Sequence, residues 1–194
     1  MKTATDMNFF PTLLLACVMA AAAITDMKTR KIPNLLTFPT MLLAFVYHGV
    51  TGGLAGLGFS AAGVAVGIGI FLVPYAMGGM GAGDAKLMGA AGAVLGPKGV
   101  FIAAIMSILV GLIYGIILLF IHRHYGRSFL RRGWLTVKCF FMTRQLVPIP
   151  PDAEEKQPVL SYGVPIALGT MCYMYLKITG SEFIQDLLGF QFSL

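Results

Sequence analysis

The sequence is short of charge. Of its 194 residues only 11% are charged, where a soluble domain carries roughly 25%. Acids are the scarcer sign, eight against fourteen lysines and arginines. With 57% hydrophobic residues and a mean hydropathy of +0.82, the chain excludes a soluble domain and fits one polytopic membrane bundle. Cysteine is sparse too. Cys17, Cys139 and Cys172 are isolated and no C-x-x-C pair exists, which excludes a zinc knuckle built from cysteines. The three histidines, His48, His122 and His124, form no ligand set; the last two flank Arg123 at a helix end, an interfacial position. No metal or cofactor is expected. The net charge of +6 gathers in loops beside apolar segments, so membrane orientation accounts for it and no nucleic-acid partner is expected.

What is present is a series of apolar runs. Phe9 to Ile24 is the first. It imitates a secretory signal, but its basic stretch follows the apolar core instead of preceding it, so retention is expected. Asp26 to Asn34 reads as a short basic loop in which Pro33 and Asn34 start the next helix. Leu35 to about Val50 is the second run, and His48–Gly53 is its link to the third, Leu54 to about Met77. The third run is rich in glycine and alanine, a spacing that packs helices closely in lipid, and Pro74 is expected to kink its end.

Ala85 to Leu95 is only about 16 Å long at 1.5 Å per residue, too short to cross a core of about 30 Å. Gly96 to Gly99 turns the chain into Val100–Ile121, a full-length run. The long polar connection from His122 to Pro158 sets Leu130, Trp134, Val137 and Phe141 on one helical face and Arg127, Arg131 and Lys138 on another. That pattern predicts a helix in the headgroup plane, held by anionic lipid or serving as a substrate-docking surface. Leu160 to Ile178 is the last run, and the tail 181–194 is weakly amphipathic.

The expected fold is therefore all-α, a bundle of about six transmembrane segments in one domain over 1–194. A short re-entrant-like helix follows Asp84, and 123–158 forms a cytoplasmic loop. Placing the Asp26, Asp84 and 123–158 loops on one side gathers eleven lysines and arginines there and leaves Lys2, Lys98 and Lys177 opposite. Positive-inside orientation makes the first side cytoplasmic and puts both termini outside. Asp26 and Asp84 then lie near the same membrane boundary, a coincidence that played no part in choosing the orientation.

Acids at membrane depth are expensive and mark function. Asp84 follows a run of glycines, Gly78-Gly79-Met80-Gly81-Ala82-Gly83, which let backbone or substrate come close. Two carboxylates at short range share a proton. The charged one deprotonates a water, and the protonated one donates to the carbonyl under attack. Asp84 is expected at a helix N-terminus, where the dipole favours the anion, and Asp26 at a C-terminus, where it does not. That reasoning makes Asp84 the resting carboxylate and Asp26 the resting acid, although the pair titrates as a unit.

Gly81-Ala82-Gly83-Asp84 fits the G-x-G-D motif of intramembrane aspartic proteases. Asp26, Lys28, Ile32, Pro33 and Asn34 resemble the first-aspartate box of type IV prepilin peptidases, and Gly79 to Leu87 is similar to the second box of that family. Tyr162-Gly163, with Pro165 and Gly169, resembles its last-helix motif, with Ser161 and Val164 departing from the commoner Pro-Phe-Gly-Pro form. The resemblance implies Asp26 and Asp84 as catalytic residues, with Gly81, Gly83, Lys28, Pro33, Asn34 and Lys86 in supporting positions. Lys28 and Lys86 read first as topology markers, Asn34 as a turn or helix cap. It implies a prepilin-like substrate with a basic leader and an apolar helix, cut on the cytoplasmic side of the bacterial inner membrane. Many members also methylate the new N-terminus through a domain with paired C-x-x-C motifs. This chain has no such pairs, so it resembles the small, peptidase-only kind associated with Flp/Tad pili, or archaeal preflagellin peptidases. Two rivals remain: a proton- or cation-coupled transporter using the same two acids, and a non-catalytic assembly subunit of a pilus or secretion system.

Overall fold

The structure is a computed structural model and describes residues 9–77, 79–121 and 161–178. Four α-helices follow in order: α1 (Phe9–Thr29), α2 (Asn34–Ala76), α3 (Ala82–Ile121) and α4 (Gly163–Ile178). The first three are long and apolar enough to cross a membrane, and α4 is a shorter apolar helix. Every described element is helical, and their length and apolarity make this a helical membrane protein. It divides into two compact units: one holds α1, α2, α4 and residues 82–111 of α3, and the other holds residues 112–121. The expected interfacial helix within 123–158 and the amphipathic tail lie outside the described residues.

Two glycines cut the long helices. Gly53 (φ 58, ψ −141) interrupts α2, and Gly96 (φ 73, ψ 178) interrupts α3. A positive φ is cheap only without a Cβ, so each break falls on a glycine. The links expected at His48–Gly53 and Gly96–Gly99 thus shrink to single residues. Helix resumes directly at Pro97, whose missing N–H is no loss at a first helical position. The stretches are then 34–52, 54–76, 82–95 and 97–121. Pro74 lies inside α2 two residues before its end, with helical backbone.

Contacts give the directions of these stretches. Asn34 meets Lys86 and His48 meets Val94, so 34–52 and 82–95 run parallel. Gly63 lies against Gly92 and Gly67 against Met88, so 54–76 runs antiparallel to 82–95. A Cβ at Gly63 or Gly92 would run into the carbonyl of the other; the two backbones touch because neither carries a side chain. Gly169 abuts Ser107 and Tyr173 lies beside Gly99, so α4 runs antiparallel to 97–111. Side-chain hydroxyls add to this packing. Ser60 Oγ donates to the Ala93 carbonyl at 2.9 Å, and Ser107 Oγ to that of Ile166 at 3.3 Å.

The end of α1 departs from the expected loop. Helix continues through Asp26 to Thr29. Thr25 Oγ1 donates to the Ala21 and Ala22 carbonyls and Thr29 Oγ1 to that of Thr25, so these hydroxyls find partners without breaking the helix. Arg30 then adopts φ 54, and its N–H donates to the Asp26 carbonyl at 2.8 Å, a left-handed cap that closes α1. Leu15, Met19, Ala22 and Asp26 are all buried at i, i+4, i+7, i+11, so Asp26 continues the apolar stripe of α1 into the bundle. Asp84, Met88, Ala91 and Leu95 form a matching buried stripe on α3. Gly163, Ala167, Thr170 and Met174 do the same on α4.

Candidate active site

The end of α1 and the starts of α2, α3 and α4 converge at one end of the bundle. Asp26, in the last turn of α1, is 5% exposed, and Asp84, in the first turn of α3, is 8% exposed. Both are charge-bearing groups taken out of solvent, a placement that needs partners. Asp84 is the third residue of α3. Its Oδ2 accepts the Gly81 N–H at 3.0 Å, and its own N–H donates to the Gly81 carbonyl at 3.1 Å. That is a capping box with aspartate in the usual place of glutamate, satisfying donors left over at a helix start. Asp26 Oδ2 accepts the Gly163 N–H at 2.8 Å, from the first residue of α4. The segments that carry the two acids meet where Ile32, shortly after Asp26, packs on Gly83 beside Asp84.

This corrects the argument from helix ends. Asp26 does stand at the C-terminus of α1, but its carboxyl also reaches the N-terminus of α4. Both acids therefore sit at a helix start and hold one backbone N–H through Oδ2. Oδ1 of each accepts no hydrogen bond among the described residues. The start of α4 thus offsets, at Asp26, the unfavourable dipole end of α1 on which the expected asymmetry rested.

The supporting residues separate into distinct places. Ile32 packs on Gly83, where an added Cβ would stand 3.2 Å from Ile32 Cβ. Pro33 is the residue before α2, with φ −64 and ψ 135, and its carbonyl takes the Leu36 N–H at 3.0 Å. Asn34 does not cap with its side chain. Instead its Oδ1 accepts from Lys86 Nζ at 3.0 Å, and that ammonium also lies 5.3 Å from the centre of the Phe38 ring. Lys86 is thereby tied to α2 rather than to either acid, and the bridge joins the helix after Asp26 to the helix of Asp84. Lys28 is exposed in the last turn of α1. No group of three or more His, Cys, Asp or Glu that can hold a metal occurs among the described residues.

Gly163, singled out in the sequence only as part of a last-helix motif, makes a contact with Asp26 that reading for reactive side chains did not assign. Its contribution is a backbone N–H, which no residue letter announces. Its place at the head of the α4 stripe, opposite the only acid of α1, is the pattern that carries the signal.

Fold and site together define a helical membrane protein with two buried carboxylates at one end of the bundle. The chain belongs to the type IV leader peptidase family, which it matches over residues 13–116. Among curated proteins it is similar to the prepilin leader peptidase/N-methyltransferase of Aeromonas salmonicida, 32% identical over 142 residues, covering 64% of this chain and 47% of that protein. The Aeromonas hydrophila protein of the same description is 30% identical over 142 residues, 64% of this chain and 48% of that one. The Bacillus subtilis one is 34% identical over 116 residues, 57% and 45%. The chain spans about half the length of the curated relatives it matches. No solved structure matches it.

Proposed function

We propose that this chain is an intramembrane aspartic endopeptidase. It removes the leader from prepilin-like substrates at the cytoplasmic face of the bacterial inner membrane, with Asp26, Asp84 and one water as its machinery. The observation that carries this is the pairing of two scarce acids from distant parts of the chain. Both are buried at the same bundle end, each holding a glycine N–H through Oδ2, with no hydrogen bond to Oδ1 among the described residues.

One proton is shared by the pair. The charged carboxylate takes a proton from the water as its oxygen attacks the scissile carbonyl carbon, and the protonated one donates to the carbonyl oxygen. The tetrahedral gem-diol then collapses: the C–N bond breaks, the leaving amine takes its proton from the acid just formed, and a diol hydroxyl returns its proton to the other carboxylate, which restores the pair. Either aspartate can begin as the acid, since each accepts one backbone N–H through Oδ2.

Cut at Gly53 and Gly96, the four helices give six stretches; read as six membrane segments, they fit a topology with the Asp26 and Asp84 turns on the cytoplasmic side, the side to which the positive-inside rule also assigns the basic residues of 123–158. Peptidase activity without methyl transfer is favoured by the isolated cysteines, none in a C-x-x-C pair. The test is a reaction of the purified chain in lipid nanodiscs with a synthetic prepilin-like peptide, read by mass spectrometry. One cut between the basic leader and the apolar helix is expected. An intact peptide, with proton or cation flux through the same protein in liposomes, overturns the proposal in favour of a transporter.

A further inference from the structure

The start of α4 supplies one free backbone donor, and it is aimed at Asp26. The Val164 N–H lies 3.4 Å from the Ser161 carbonyl, residue 165 is proline and has no N–H, and the Ile166 N–H goes to the Tyr162 carbonyl at 3.1 Å. Only the Gly163 N–H is left, and it reaches Asp26 Oδ2 at 2.8 Å within a buried contact. The contact also forbids a side chain. A Cβ at 163 would stand 2.8 Å from Asp26 Oδ2, 2.9 Å from its Cβ and 3.0 Å from its Cγ. Real atoms do not approach so closely, so the carboxyl would have to turn or α4 to withdraw.

We propose that Gly163 is a positioning residue. Its N–H fixes the rotation of the Asp26 carboxyl, so that Oδ1 is left for the water and for Asp84, and the first turn of α4 is a third working part of the site. The inference rests on the aspartic reading above. By this account Asp26 is held by α4 much as Asp84 is held by Gly81, but from a helix far away in the chain. Anything that shifts α4 along α1 therefore acts on the nucleophile-activating pair without touching substrate.

The test uses the full chain in lipid nanodiscs with a synthetic peptide of basic leader and apolar helix. Two variants are compared with wild type: Gly163→Ala, and a backbone ester made by placing glycolic acid at 163 in cell-free synthesis, which deletes the N–H and little else. Gly56→Ala is the packing control away from α4 and from both acids, since its Cβ would run into the His48 carbonyl. Both 163 variants should lower kcat by at least about tenfold with KM within about threefold, the mark of a group that acts in the transition state. Gly56→Ala should lower thermal stability and keep the kcat of its folded fraction. An ester variant with wild-type kcat overturns the proposal, as does a Gly163→Ala loss that merely follows the folded fraction. If Gly163→Ala does not fold, the ester decides alone. Cleavage by Asp26→Asn or Asp84→Asn would instead remove the aspartic reading itself, so the two failures are distinguishable.

Discussion

At the scale of single residues, scarcity is what made the acids legible. A chain with eight acidic residues and mostly apolar segments has few reasons to place one inside a helix, and Asp26 and Asp84 are both buried. What the letters did not carry was how each is held. Backbone donors at Gly81 and Gly163 have no signature beyond glycine, a residue used twenty-four times here for several purposes. Arg30 gives a residue-level prediction. It occupies a left-handed conformation that a Cβ disfavours. Arg30→Gly should therefore stabilise the protein by about 0.5–1 kcal/mol, and Arg30→Val should destabilise it. Thermal unfolding in detergent checks both, and equal melting temperatures for the two variants would refute the strain argument.

At the scale of helices, the apolar runs were legible and their faces were not. In lipid the outward face is as apolar as the inward one, so amphipathic periodicity fades and small residues take over as the packing signal. Even that signal was only half specific. Gly63 and Gly67 press on the backbone of α3, while Gly58 and Gly69, in the same helix, face open space. Substitution separates them. Gly58→Ala and Gly69→Ala should each stabilise by roughly 0.5–1 kcal/mol through helix propensity, whereas Gly63→Ala should cost about 1–3 kcal/mol by overpacking. Melting of the purified variants gives the sign directly. The link between α2 and α3 is testable in the same way. A double-mutant cycle of Asn34→Ala and Lys86→Met should show a coupling of about 1 kcal/mol, as expected for one hydrogen bond to a charged group near the surface. Strict additivity would mean the bridge contributes nothing.

At the scale of the whole molecule, the order of segments could be read because turn residues and short runs punctuate the sequence. The glycines at 53 and 96 reduced two expected links to single residues without changing that order. The convergence of four helix ends was not readable, since it depends on contacts such as Asp26 with Gly163 between distant parts of the chain. The proposed orientation follows from charge. In a background with Cys17, Cys139 and Cys172 replaced, Lys31→Cys should react with a membrane-impermeant thiol reagent only from the inner face, and Lys98→Cys only from the outer. Labelling of both from one face would refute the topology.

The most direct test of the central claim is leader removal in cells. A prepilin-like substrate is co-expressed with wild type, Asp26→Asn, Asp84→Asn or the double variant, each checked for equal membrane abundance. The account predicts processing by wild type alone, because either loss breaks the shared-proton pair. Full processing by the double Asn variant would contradict it.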